Sequence, residues 1–217
     1  MASDPRVIVI EGLIGSGKTT FIKYLRKTCT TRGVGTNMHF VEEPVDKFMN
    51  YKTYNPLKEL ETSPFAAQYH FIQCLKKHFQ NLMQQLPRGE TNTIVIIERS
   101  VDSPMIFTEA LYRNGNITCF EKDLLSDIFQ DVKNSCGYPK PDAIFYLTTP
   151  PDLCMQRVEK RNRSGEEEFV NRRYLDCLQT SYEIYLNQLD IPLRKSRSGT
   201  DDMKALHCEL EELIHNV

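Results

Sequence analysis

Residues 7–25, VIVIEGLIGSGKTTFIKYL, place a β-branched run and three glycines in front of an amphipathic pattern that opens on a lysine. Val7 to Ile10 reads as a fully buried strand, and from Lys18 onward Phe21, Ile22, Leu25 and Cys29 recur at helical spacing. Between the two lie Gly12, four residues and Gly17-Lys18-Thr19, the pattern G-x-x-x-x-G-K-S/T. Such a loop turns successive backbone N–H groups toward one point at a helix N-terminus, where unpaired donors and partial positive charge favour an anion. A glycine-rich turn that binds nothing is the plainer reading. The match follows a strand and precedes a helix, as the mechanism requires, and this favours a phosphate loop. The expected guest is a polyphosphate, held by Gly12, Gly15, Ser16, Gly17, Lys18, Thr19 and Thr20.

The rest of the chain supplies an α/β framework for that loop. Buried-strand runs MHFVEEP, TIVIIERS and DAIFYLTTPP follow helical stretches, and the weaker run DIPLRKS is the candidate fifth strand. Polar or proline residues close these runs, as expected for parallel strands whose loops converge on a crevice. The predicted architecture is a doubly wound parallel sheet of about five strands with helices on both faces. With 217 residues, 40% of them hydrophobic, one domain is expected over 1–217. No repeat or linker interrupts it.

Composition excludes several settings. A net charge of -2 without a long basic run argues against a nucleic-acid polymer as partner. No apolar stretch reaches membrane-spanning length, and MASDPR has neither a secretory h-region nor an arginine-rich leader, so a cytoplasmic protein is expected. Seven cysteines without a C-x-x-C pair or a Cys/His cluster point to reduced thiols and away from zinc.

Three further patterns carry chemistry. The second strand run ends in Glu42-Glu43-Pro44-Val45 and the third in Glu98-Arg99-Ser100. Phosphoryl transfer needs an acceptor hydroxyl positioned, Mg²⁺ held and equatorial oxygens neutralised, and carboxylates and a guanidinium beside a phosphate loop meet that need. Residues 157–168, RVEKRNRSGEEE, put Arg157 and Arg161 on one helical face with Arg163 in a segment loosened by Ser164-Gly165, as in a lid that closes over phosphates; a solvated charged face is the alternative. In the helix expected over 65–86, Phe65, Tyr69, Ile72, Leu75, Phe79, Leu82, Met83 and Leu86 form a stripe that contains Gln68. An amide there must be satisfied by backbone or by the edge of a nucleobase.

This ordered set of phosphate loop, E-P-V, helical Gln, E-R-S and R-x-x-x-R-x-R resembles the deoxyribonucleoside kinase family over roughly residues 7–190. The resemblance implies an α/β kinase, commonly homodimeric, that moves the γ-phosphoryl group of ATP to a deoxyribonucleoside 5′-hydroxyl in nucleotide salvage. By the same resemblance Glu43 is the general base and Arg99 orients it. Thr19 and Glu98 serve Mg²⁺, and Lys18, Arg157, Arg161 and Arg163 serve phosphates. Gln68 and Phe107 meet the base. Counting back from Tyr174-Leu175 gives Glu167 for the sugar 3′-hydroxyl, while counting forward from Arg163 gives Glu166.

The chain departs from the family pattern at the nucleoside pocket. It has no Trp and offers Phe48 instead, and Tyr51 and Tyr54 are the candidates for a tyrosine at the 3′-hydroxyl. Leu75 and Pro104 stand where members preferring deoxycytidine or purines carry Arg and Asp, and Phe71 replaces a smaller residue. A pocket without the charged pair suits thymidine and deoxycytidine. The alternatives are a nucleoside monophosphate kinase resembling thymidylate kinase, against which Glu98-Arg99-Ser100 argues, and a silent kinase-fold binding subunit, against which Lys18, Glu43 and Arg99 argue together.

Overall fold

The structure is a computed structural model that describes residues 5–29, 37–45, 55–86, 92–138, 140–197 and 199–217. Phe48, Tyr51 and Tyr54 lie outside the described residues. Strands β1 (Arg6–Gly12), β2 (Asn37–Val41), β3 (Thr93–Glu98), β4 (Ala143–Leu147) and β5 (Leu193–Lys195) form one parallel sheet in the order β2-β3-β1-β4-β5. The helices are α1 (Lys18–Cys29), α2 (Pro56–Thr62), α3 (Pro64–Gln85), α4 (Ser103–Asn114), α5 (Cys119–Cys136), α6 (Pro151–Arg161), α7 (Glu166–Phe169), α8 (Arg172–Asn187) and α9 (Met203–His215). The expected fold class is observed, and DIPLRKS supplies β5, short and only half-buried at the sheet edge.

Strand periodicity explains why both faces are covered. Val7 and Val9 of β1 join Val95, Ile97 and Ile144 in one core with Leu75 and Phe79 of α3, Leu111 of α4, Phe129 of α5 and Leu178 of α8. The alternate residues Ile8 and Ile10 join Ile94, Ile96 and Phe145 in a second core with Phe21 and Leu25 of α1 and Leu210 of α9. Full burial of each such side chain contributes about 1.5–3 kcal/mol, so a one-residue slip of β1 would exchange the two cores. Register places Val9 between Ile97 and Ile144, which sets the carboxyl ends of β1 and β3 side by side.

The centre of the stripe expected on α3 is buried, and its margin is not. Ala67, Gln68, Ile72, Leu75, Phe79 and Leu82 are buried, whereas Tyr69 is 43% exposed and Phe65, Met83 and Leu86 are partly covered. The helix is apolar over more than one face. Which face is buried is decided by α2, α4 and α5 packing against it.

The phosphate loop is locked to the second half of the chain at Gly15. Its φ of +77° lies in the left-handed region, and a Cβ there would sit 2.5 Å from the Cys154 carbonyl oxygen of α6. Both the conformation and the contact with rigid backbone require glycine. Gly15→Ala is expected to lower the unfolding free energy by about 1–3 kcal/mol, measured by denaturant titration. A loss below about 0.5 kcal/mol would show that α6 is not seated on the loop.

Candidate active site

The loop between β1 and α1 is organised by its lysine. Lys18 opens the helix, is 5% exposed, and its Nζ donates to the carbonyls of Gly12 at 3.0 Å and Leu13 at 2.8 Å and contacts Ser16 Oγ at 3.4 Å. Burial, reinforced by the charge of Arg99, lowers its pKa from the usual 10.5 to about 8 despite Glu98, Glu43 and Glu11 nearby. Gly15, Gly17, Lys18, Thr19 and Thr20 line a cavity of about 500 Å³. Gly12 and Ser16 are buried behind that lining, where they hold the lysine.

On the neighbouring strand end, Arg99 is 5% exposed and adopts a positive φ of 67°, unusual for a residue with a side chain. Its Nε lies 3.1 Å from both carboxylate oxygens of Glu43, and its NH1 donates to Tyr182 Oη at 2.7 Å and to the Gly12 carbonyl at 3.4 Å. Phe107 of α4 packs under the guanidinium at 4.7 Å. Burial opposes the charge, but Tyr182, Glu43, Glu11 and Glu98 outweigh it and raise the pKa. Arg99 is therefore a fixed cation, and Glu43, at the end of the β2 loop, is held by it in the cavity. The adjacent Glu42 turns away to Arg26 of α1 at 2.8 Å.

Thr19 Oγ1 donates to Glu98 Oε1 at 2.7 Å, and Glu98 Oε2 accepts from the Glu43 backbone N–H at 3.3 Å. One hydroxyl and one carboxylate beside a phosphate loop fit Mg²⁺, which is bound by few protein oxygens and otherwise by phosphate and water. Among the described residues no group of three or more His, Cys, Asp or Glu could hold a metal. The pair thus suits a metal that arrives with phosphate.

The arginine segment meets the same cavity. Arg157 donates to the Ser16 carbonyl at 3.1 Å, Thr200 Oγ1 at 2.8 Å and Asp201 at 2.9 Å, so it braces the loop from α6. Arg161 pairs with Glu166 at 2.6 Å and Arg163 approaches it at 3.8 Å. Gly165, expected to loosen the segment, is instead a close-packing residue: a Cβ would lie 2.8 Å from Lys58 Cγ and 2.9 Å from its backbone N. Asn55 Nδ2 donates to the Ser164 carbonyl at 2.9 Å across the same contact.

Of the two carboxylates expected as candidates for the sugar 3′-hydroxyl, Glu166 and not Glu167 is the one that faces the cavity. Glu166 is 5% exposed and lines the cavity, whereas Glu167 is exposed and lies outside its lining. The reason is helical phase. Glu166, Phe169 and Val170, spaced three and four apart, face inward from α7, and Glu167 stands 100° off that face.

At the far side of the cavity, Gln68 Nε2 donates to the Pro104 carbonyl at 2.7 Å and to Thr108 Oγ1 at 3.2 Å, and Thr108 in turn donates to the same carbonyl at 2.8 Å. Both amide N–H bonds are used, and the amide oxygen accepts no hydrogen bond from the described residues. Phe71, Leu75, Pro104 and Phe107 line the cavity around it. Sequence reading missed Glu11 and Tyr182. Glu11, a lone carboxylate ending an apolar strand, carried a signal in its position; Tyr182, one apolar residue on a helix stripe, carried none.

The lysine gives a pH test. In the unfolded chain Lys18 titrates near 10.5 and in the fold near 8, so between these values the folded protein binds fewer protons and this group's destabilising effect fades as pH rises. A polyphosphate at Nζ restores the charge. Titration calorimetry of a nucleoside triphosphate in buffers of different ionisation heat is expected to show proton uptake growing from near zero at pH 7 toward one proton at pH 9, where its terminal phosphate is already ionised. Lys18→Met is expected to abolish the uptake.

Comparison with known proteins gives the family. The chain is 30% identical over 186 residues to mitochondrial thymidine kinase 2 of Homo sapiens, an alignment covering 83% of this chain and 64% of that protein. It is 29% identical over 203 residues to deoxycytidine kinase 2 of Gallus gallus, covering 83% and 74% of the two chains. The chain thus spans less than two thirds of the length of the first of these relatives and about three quarters of the second, 64% and 74%. The solved structure of a deoxyadenosine kinase from M. mycoides shares the fold with a TM-score of 0.72 at 21% identity, covering 97% of this chain and 100% of that one. The profile of the deoxynucleoside kinase family matches residues 8–217, and the chain belongs to that family.

Proposed function

We propose that this protein transfers the γ-phosphoryl group of ATP to the 5′-hydroxyl of a deoxyribonucleoside, with thymidine and deoxycytidine preferred over purines, and serves nucleotide salvage as a homodimer. The observation that carries the reading is Arg99 holding Glu43 at 3.1 Å in the cavity onto which the phosphate loop opens. An acceptor hydroxyl between Glu43 and that loop would lie within reach of a base and of the transferred group at once.

Glu43 accepts the hydroxyl proton as the oxygen attacks, and Arg99 keeps the carboxylate aimed at it. Lys18, Arg161 and Arg163 oppose the charge on the transferred phosphoryl oxygens, and Arg157 holds the loop that cradles them. Thr19 and Glu98 would hold Mg²⁺, which when bound neutralises phosphate oxygens. Glu166 meets the sugar 3′-hydroxyl, releasing the lid arginines to phosphate. Gln68 offers its oxygen to a base N–H, and Phe107 stacks on the ring.

The base preference rests on the lining. Leu75 and Pro104 provide apolar contact without a charged pair, and burial of a thymine methyl there is worth about 1 kcal/mol. Phe71 narrows the same wall against the larger purine. The lack of any described helix long and apolar enough to cross a membrane is compatible with small dissolved substrates.

Comparing kcat/KM over the four deoxyribonucleosides and thymidine monophosphate, with ATP and Mg²⁺, tests the reading. Thymidine and deoxycytidine are expected to lead; a purine as best substrate would refute the pocket argument, and the monophosphate as best substrate would refute the nucleoside acceptor. The roles separate by mutation. Glu43→Gln is expected to lower kcat by about 10²-fold or more with little change in nucleoside KM, and Gln68→Ala to act mainly on KM and base selectivity. Equal effects on both constants in both variants would overturn the assignment.

A further inference from the structure

Glu11 is a carboxylate at 0% exposure in a strand whose preceding residues, Val7 to Ile10, are all buried and apolar. A charge so placed is costly unless its lone pairs are filled. They are: Oε1 accepts from the Ser100 backbone N–H at 2.8 Å and from Ser103 Oγ at 2.6 Å, and Oε2 accepts from Tyr182 Oη at 2.8 Å. Arg99 NH1 lies 3.8 Å from the same Oε2. A hydrocarbon side chain in its place would leave these three donors and the buried guanidinium short of an acceptor, so the carboxylate is tied to its neighbours.

The bonds form a line across the molecule. Glu11 of β1 binds Tyr182 of α8, which is 0% exposed; Tyr182 accepts from Arg99 at 2.7 Å; Arg99 binds Glu43 at 3.1 Å. The Tyr182 hydroxyl has one proton, donated to Glu11, and this leaves its lone pairs for the guanidinium. Glu11 also grips the backbone on the other side of Arg99 through Ser100 N–H, pinning the turn in which Arg99 takes its positive φ. Anchored at both backbone and guanidinium, Arg99 has one direction left for its Nε, toward Glu43.

We propose that Glu11, acting through Tyr182, is a positioning residue that fixes the Arg99 guanidinium against Glu43 and thereby sets the aim of the base in phosphoryl transfer. The proposal rests on the kinase reading for its catalytic consequence and on geometry alone for the constraint. Glu11 touches no substrate; it shares the cation with Glu43, so that Arg99 is held from behind as well as from the cavity. In Glu11→Gln the amide nitrogen would have to donate to Tyr182, whose own proton would lose its acceptor. Tyr182→Phe removes the bridge and leaves Glu11 with its serine donors.

Both variants are tested by steady-state kinetics with thymidine, ATP and Mg²⁺, and by the exchange rate of the Arg99 Nε–H proton in ¹⁵N-edited spectra, assigned with Arg99→Lys. A misaimed base costs up to about 10²-fold in rate, so kcat is expected to fall by about 10- to 100-fold with nucleoside KM within about threefold of the parent. Nε–H exchange is expected to accelerate by about tenfold or more as the guanidinium loses its rear anchor. In an Arg99→Lys background, Glu11→Gln is expected to add no further loss. Unchanged kcat with unchanged exchange in Tyr182→Phe, a loss confined to KM, or full additivity with Arg99→Lys would overturn the proposal. If Glu11→Gln does not fold, Tyr182→Phe decides alone. If the parent protein phosphorylates no deoxyribonucleoside, the kinase reading fails, and the Nε–H exchange still decides whether Glu11 and Tyr182 hold Arg99.

Discussion

A guanidinium buried to 5% exposure is the point on which the site depends. Arg99 cannot shed its proton, so the fold has to surround it with acceptors, and it draws them from four places: Glu43 after β2, the Gly12 carbonyl at the end of β1, Glu11 within β1 and Tyr182 on α8. Meeting that requirement brings together segments that are far apart in the chain. Glu43, the root of the glycine-rich loop and Tyr182 of α8 are located by one cation. A change at any of these acceptors would be felt at the others.

The phosphate loop meets a related constraint in a different way. Lys18 is also buried, but it has neutral carbonyl partners in Gly12 and Leu13 in place of a carboxylate, and its pKa falls to about 8 while that of Arg99 rises. Two cations close together in a dry site cannot both be cheaply charged. The fold resolves this by fixing the charge on the arginine and leaving the lysine as the group that gains when an anion arrives. Arg161 and Arg163, on the far side of the loop, are both occupied by Glu166.

The opposite wall of the cavity is organised by hydrogen-bond direction as much as by shape. Pro104 contributes no side-chain polar group, yet its carbonyl takes both a Gln68 N–H and the Thr108 hydroxyl. Both N–H bonds of the amide are thereby committed within the protein, and its oxygen is the group left to accept. The proline gives the wall an apolar side chain, while its backbone carbonyl fixes the amide.

Much of this could be read from the sequence where the physics is local. Glycines that permit a loop of inward N–H groups, a lysine opening a helix and β-branched runs buried on both faces act over a few residues, so the phosphate loop, the five-strand order of elements and the strand-end positions of Glu43, Glu98 and Arg99 were determined by the chain itself. Other features depended on distant partners. Glu11 and Tyr182 are 171 positions apart, and nothing near either one announces the other. Tyr69 looks outward at the margin of the buried stripe because the helices packed on α3 do not reach it, and Glu166 rather than Glu167 turns inward because burial of Phe169 and Val170 sets the phase there. Gly165, flexible by composition, is fixed because Lys58 and Asn55 press against it. Sequence carries the backbone preferences and the apolar periods; which polar groups find one another, and which of two adjacent carboxylates turns inward, follow from how the packed elements meet.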